Sequence, residues 1–117
     1  VTAPDTLLVL VYADPARSGL AAEALRMAMG LGTGRRTLKV VLMGPAAQVL
    51  GPDVDDLVDG EMIENHLDVF ADWGTPFYVG EGAEVDDLDD APVKVEPVDT
   101  PGLARLMAEA RQVMVFP

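Results

Sequence analysis

The six residues Leu7-Leu8-Val9-Leu10-Val11-Tyr12 form an apolar run with no polar interruption. A strand with one wet face alternates apolar and polar residues. A strand with no polar position is buried on both faces, as in parallel sheets. Such a strand needs an apolar layer above it and another below. The run is far too short to span a bilayer. It lacks a preceding basic region and a following cleavage pattern, so it does not read as a signal peptide. Asp14-Pro15 ends it.

The rest of the chain supplies those layers in alternating order. Ser18 is read as a helix N-cap. Leu20, Ala24, Met27, Ala28 and Leu31 follow at helical spacing, and Gly32 and Gly34 close that helix. Leu38 to Met43 is a second strand, closed by Gly44-Pro45. Ala46 to Leu50 is a short helix, and residues 53–59 form an acidic turn or ragged helical piece. Glu61 to Trp73 has helical periodicity, with a polar stripe of Glu61, Glu64/Asn65, Asp68 and Asp72. Phe77-Tyr78-Val79 is a third strand. Val93 to Val98 alternates and contains Pro97, which marks an edge strand. Thr100-Pro101 reads as an N-cap followed by proline at the first helical position. Leu103, Leu106, Met107 and Ala110 give that helix one apolar face, and Val113 to Phe116 is the last strand. Alternating strands and helices imply βαβ units. The expectation is one α/β domain over residues 1–117, a three-layer sandwich. Its sheet has about five mainly parallel strands with helices on both faces.

Composition narrows the partners. Formal charge is −12. Residues 1–39 hold five Lys/Arg and three Asp/Glu, whereas residues 40–117 hold three and seventeen. Such a field repels phosphate backbones and anionic lipid surfaces, so neither nucleic acid nor membrane is an expected partner. There is no cysteine. Disulfides and thiolate metal sites are therefore absent, in keeping with a reducing cytoplasm.

Few residues carry recognisable chemistry. Open parallel sheets bind ligands at the carboxyl ends of their strands. Those ends hold Asp14, Arg17 and Ser18, then Gly44, then Gly80 and Glu81. An Asp–Arg pair beside a helix N-terminus suits a small polar or anionic ligand. Turn and cap bonds explain the same residues locally. Gly32-Thr33-Gly34-Arg35-Arg36 is glycine-rich and basic. It follows a helix rather than preceding one, so it reads as a C-cap with two surface arginines instead of a phosphate cradle. A receiver domain needs an acidic pair after the first strand and an Asp ending the third. Asp14 stands alone, and the third strand ends in Gly80. An EF-hand loop starting at Asp55 puts Leu57 at position three and His66 at position twelve, and one starting at Asp53 puts Leu57 at position five. His66, the only histidine, has no His/Cys constellation around it, and no metal or cofactor is expected. Met62, Ile63, His66, Leu67, Val69, Phe70 and Trp73 form an arc wider than one sheet contact uses. Met62, His66, Val69, Phe70 and Trp73 are accordingly the expected subunit interface.

Three segments resemble the DsrE/DsrF-like (TusD/TusC-like) family of sulfur-relay proteins. They are the strand and alanine-rich helix Leu7 to Leu31, the strand and glycine Leu38 to Gly44, and Gly74-Thr75-Pro76-Phe77-Tyr78-Val79-Gly80. The likeness spans almost the whole chain and rests on pattern and small residues. It implies a small α/β fold assembled as homotrimers or homohexamers. In active members a cysteine at the end of a short strand accepts sulfur as a persulfide and hands it to a partner. Carried onto this chain, that cysteine falls on Gly80. Thiolate chemistry needs a sulfur on the acceptor itself, so no sulfur transfer is expected here. The resemblance then implies a cytoplasmic, homo-oligomeric binding or scaffold module, or a scaffold subunit beside a cysteine-bearing relative. A small-ligand binder or enzyme using Asp14, Arg17 and Glu81 is the alternative.

Overall fold

The computed structural model describes residues 5–32, 36–85 and 88–117. Thr33, Gly34 and Arg35 of the glycine-rich segment, and Asp86 and Asp87 of the acidic run, lie outside the described residues. Five strands form one sheet: β1 (Thr6–Val11), β2 (Thr37–Leu42), β3 (Phe77–Gly80), β4 (Val95–Val98) and β5 (Gln112–Phe116), in the order β4-β3-β2-β1-β5. Every neighbouring pair is parallel. The helices are α1 (Leu20–Leu31), α2 (Gly60–Trp73) and α3 (Thr100–Glu109), with two 3₁₀ turns at Gly44–Leu50 and Val54–Asp56. The architecture is the α/β sandwich that the alternation of elements implies.

The strand order follows from crossover handedness. From β1 to β4 the chain steps steadily across the sheet, and it then returns past β1 to place β5 on the far side. Right-handed crossovers put helices on one face during the outward steps and on the other face during the return. The first face accordingly carries the larger core. There Leu7, Val9 and Val11 of β1 pack with Val40, Leu42, Phe77, Ala24, Leu25, Ile63, Leu67 and Phe70. Among the described residues the second face has α3 as its only helix, over Leu8, Leu10 and Val41. No residue of α3 is fully buried. Leu103, Leu106 and Ala110 pack against the sheet as expected, whereas Met107 remains 43% exposed.

Alanine explains the close seating of α1. Ala21, Ala22, Ala24 and Ala28 are all buried, and each loses almost no side-chain entropy there. At the sheet edge, Phe77 donates its N–H to the carbonyl of Lys94 (3.2 Å). With Phe77 opposite Val95 and Val79 opposite Pro97, that parallel ladder turns Val95 and Pro97 outward. Proline therefore sits where no inward donor is required, and it blunts an exposed edge.

Several local assignments differ from the sequence reading. Gly19, not Ser18, occupies the N-cap of α1; the Ser18 hydroxyl instead accepts the Leu20 N–H at 3.3 Å. The strand β4 starts at Val95, and Val93 is drawn into the core just before it. Arg36 is not a free surface charge. It donates to the Gln112 side chain (2.7 Å) and pairs with Asp5 (3.5 Å), joining the entrances of β1, β2 and β5. The cap of α3 is Asp99 rather than Thr100. Its carboxylate accepts the Gly102 N–H at 2.8 Å, leaving Thr100 and Pro101 in the first turn. Because α3 buries so little, its cap bond is a large part of what anchors it. Asp99→Ala is expected to cost about 1 kcal/mol, measured by urea denaturation.

Candidate functional site

Two regions survive as candidates, the tip of β3 and the outward side of α2. At the tip, β3 ends in Gly80, and a turn follows in which Ala83 donates to the Gly80 carbonyl (3.2 Å). Gly82 supplies the left-handed conformation this turn needs (φ 74°). The Glu84 N–H bonds the Gly44 carbonyl (2.9 Å), so the loops after β2 and β3 are tied together. Gly80 itself is buried and does not have a left-handed φ. Its glycine answers a different demand. A Cβ at that position would lie 2.8 Å from Met43 Cε and closer still to Met43 Sδ. The thioether of Met43 covers the spot where a side chain at residue 80 would stand.

Clefts flank this tip on either side, and Val79, Gly80 and Pro97 line both. One, about 660 Å³, lies toward α3 and includes Tyr78, Glu81, Glu96, Arg105 and Glu109. Burial pushes the Tyr78 hydroxyl pKa up, and the charges of Glu96 and Glu109 push it further the same way. Glu81, Glu96, Glu109 and the cap residue Asp99 outnumber the single guanidinium of Arg105 here. That field opposes a thiolate, which is stabilised by positive surroundings. The other cleft, about 570 Å³, is mainly apolar, with Ala83, Val85, Leu88, Val93 and Val95.

The remaining strand-end residues have local engagements. Asp14 accepts the Ala16 N–H at 2.9 Å and lies 3.7 Å from the Arg17 guanidinium. Arg17 points into solvent, 87% exposed. The end of β1 is separated from the end of β3 by β2, which sets the two strand tips roughly 10 Å apart. Glu81 lines the cleft beside α3, and none of the residues Asp14, Arg17 and Ser18 joins it there. Among the described residues no group of three or more His, Asp or Glu could hold a metal ion.

On α2, Met62, His66, Val69 and Trp73 recur at i, i+4, i+7 and i+11, which places them along one side of the helix. Met62 is 40% exposed and Trp73 45%. Phe70 does not belong to this surface. It is wholly buried, with its ring edge-on to Trp73 (5.9 Å) and Phe77 (5.5 Å). Ile63 and Leu67 share that inward side. Phe70 sits about 80° around the helix from Met62 at 100° per residue, which carries it over the core edge. His66 Nδ1 is buried without a hydrogen-bond partner. Desolvation lowers the His66 pKa, Arg26 lowers it further, and Glu23 opposes both. Arg26 and Glu23 are themselves paired on α1.

Comparison with known proteins adds a fold neighbour. The structure superposes on that of the ychN protein from E. coli with a TM-score of 0.75. The match covers 96% of this chain and 99% of that one at 18% identity. It supports the DsrE-like fold that the three sequence segments imply. No protein-family model matches the chain, and no curated protein matches it. No helix among the described residues is long and apolar enough to cross a membrane.

Two titrating groups give measurable consequences. A hydrogen bond with the Asp55 carboxyl, some desolvation and the negative charges of Asp55, Asp68 and Glu61 raise the Glu64 pKa. A carboxyl raised on folding stabilises the protein below its unfolded pKa and loses that contribution as pH climbs through the folded value. Glu64→Gln is therefore expected to raise stability at neutral pH, with the advantage vanishing below the carboxylate range; denaturation at several pH values measures it. His66 has the opposite sign. A base lowered on folding contributes stability above its unfolded pKa and loses it as pH falls through the folded value. Wild type should lose more stability than His66→Gln between pH 7.5 and pH 5, roughly the histidine range.

Proposed function

We propose that this chain is a sulfur-relay-type fold that has lost its acceptor and acts as a homo-oligomeric binding or scaffold module of the cytoplasm. The observation that carries the reading is the pairing of two facts. The chain has no cysteine, and α2 keeps a lengthwise row of Met62, His66, Val69 and Trp73 with both ends exposed. A folded monomer gains nothing from exposing a methionine and a tryptophan on one helix side, whereas a subunit contact does. Tryptophan and methionine are enriched in such contacts. His66 fits the same use. Its half-buried ring stands between Met62 and Val69 in that row.

The carboxylate-rich strand tip also argues against retained thiol chemistry supplied in trans. A partner's thiolate brought to Gly80 would meet Glu81, Glu96 and Glu109. The likeness to sulfur-relay proteins is then one of scaffold, and the partner is a second copy of the chain. A trimer or hexamer is the expected stoichiometry.

Light scattering coupled to size exclusion tests this at micromolar concentration. The expected result is a mass of three or six chains. Trp73→Glu, which places a charge on the row, is expected to shift the mass toward the monomer while circular dichroism stays unchanged. A wild-type protein that elutes as a monomer across the concentration range would overturn the reading.

A further inference from the structure

Glycine occupies position 80 for reasons of space, and the space is taken by a neighbour on the adjacent strand. Leu42 pairs with Val79 in the β2–β3 ladder, so the next residues along, Met43 and Gly80, come side by side. Residues on alternate positions share a face. Met43 follows Lys39 and Val41 on the α3 face, and Gly80 follows Tyr78 there. A side chain at 80 would thus project onto the same face as Met43, into the region its Sδ and Cε already occupy. Met43 is partly buried among the cluster beneath α3, which includes Tyr78, Val98, Leu103 and Leu106. Its thioether bridges that cluster and the bare Cα of Gly80.

We infer that Met43 is the residue that closes this strand tip, and that Gly80 and Met43 form one packing unit in which either side chain excludes the other. The tip is filled rather than vacant. A reactive group placed at residue 80 by a single substitution must expel Met43 from its apolar seat before it can be reached from the cleft. Methionine is unbranched and flexible, so the chain accommodates such a change by moving the thioether and not the backbone. The cost falls on packing and is recovered when Met43 is shortened. The inference deepens the proposed reading in one respect: any side chain at the acceptor position must first displace the Met43 thioether. It concerns the isolated subunit, so oligomerisation can fail without affecting it, and the reverse also holds.

The test is a double-mutant cycle with a thiol as reporter. Gly80→Cys, Met43→Ala and Met43→Ala/Gly80→Cys are prepared in this otherwise cysteine-free chain, with Gly80→Ala and Met43→Ala/Gly80→Ala as the uncharged parallel set. Thermal melting gives the coupling. Reaction with an aromatic disulfide gives access. In that reaction the thiolate forms a mixed disulfide and releases one chromophoric thiolate. The expected result is that Gly80→Cys and Gly80→Ala each lower Tm when Met43 is present. In the Met43→Ala background the same substitutions should raise Tm or leave it unchanged. The thiol should react several-fold faster in the double variant than in Gly80→Cys. Additive Tm changes together with equal thiol reaction rates would overturn the inference. If Gly80→Cys fails to fold, the alanine pair still measures the coupling.

Discussion

The burial of β1 on both faces is the constraint from which the architecture follows. All six of its residues are buried, and it pairs with β2 on one side and β5 on the other. Leu7, Val9 and Val11 feed the larger core, and Leu8 and Leu10 feed the smaller one. A strand with this composition cannot lie at an edge or face water, because each exposed leucine would forfeit about 2 kcal/mol of transfer free energy. Two helical layers are therefore obligatory. Among the described residues the chain provides them unequally, with α1, α2 and the 3₁₀ turns on one face and α3 alone on the other. The thin layer makes the Asp99 cap and the Leu103/Leu106 contacts matter more than their burial alone implies.

The same arrangement forms without any cysteine in the chain. The sheet, the crossovers and the turns around Gly44 and Gly82 are all present without a thiol. Around Gly80 the surroundings are those of a packed, acidic strand tip. Met43 takes the side-chain volume, and Glu81, Glu96 and Glu109 set a negative field. Folds and activities separate in this way because the core depends on apolar area, whereas the site depends on a few atoms. A structural likeness at 18% identity speaks to the first and not to the second.

Much of the fold was legible because hydrophobic periodicity responds directly to burial. The strands at Leu7, Leu38, Phe77 and Val113 appear within one or two residues of their expected places, and Pro97 marks the edge as anticipated. Caps were less legible. Ser18 and Thr100 are good capping residues, yet Gly19 and Asp99 hold those positions, because adjacent residues compete for a cap and Asp99 caps as readily as threonine. Arg36 looked like surface charge because its partners Asp5 and Gln112 are distant in sequence and meet only across the sheet. The apolar arc of α2 contained both core and surface residues. Sequence spacing alone did not say that Phe70 turns inward to Phe77 while Met62 and Trp73 remain outside.

The amino-acid sequence determined the class of fold, the acidic field, the edge strand and the absence of any thiol, because composition and period act locally and additively. Tertiary structure alone decided that Met43 lies over Gly80, that β2 stands between the tips bearing Asp14 and Glu81, and that α3 has no companion helix on its face among the described residues. Those outcomes depend on strand order and register. Such pairings join residues far apart in the chain, and the sheet settles them as it closes around β1.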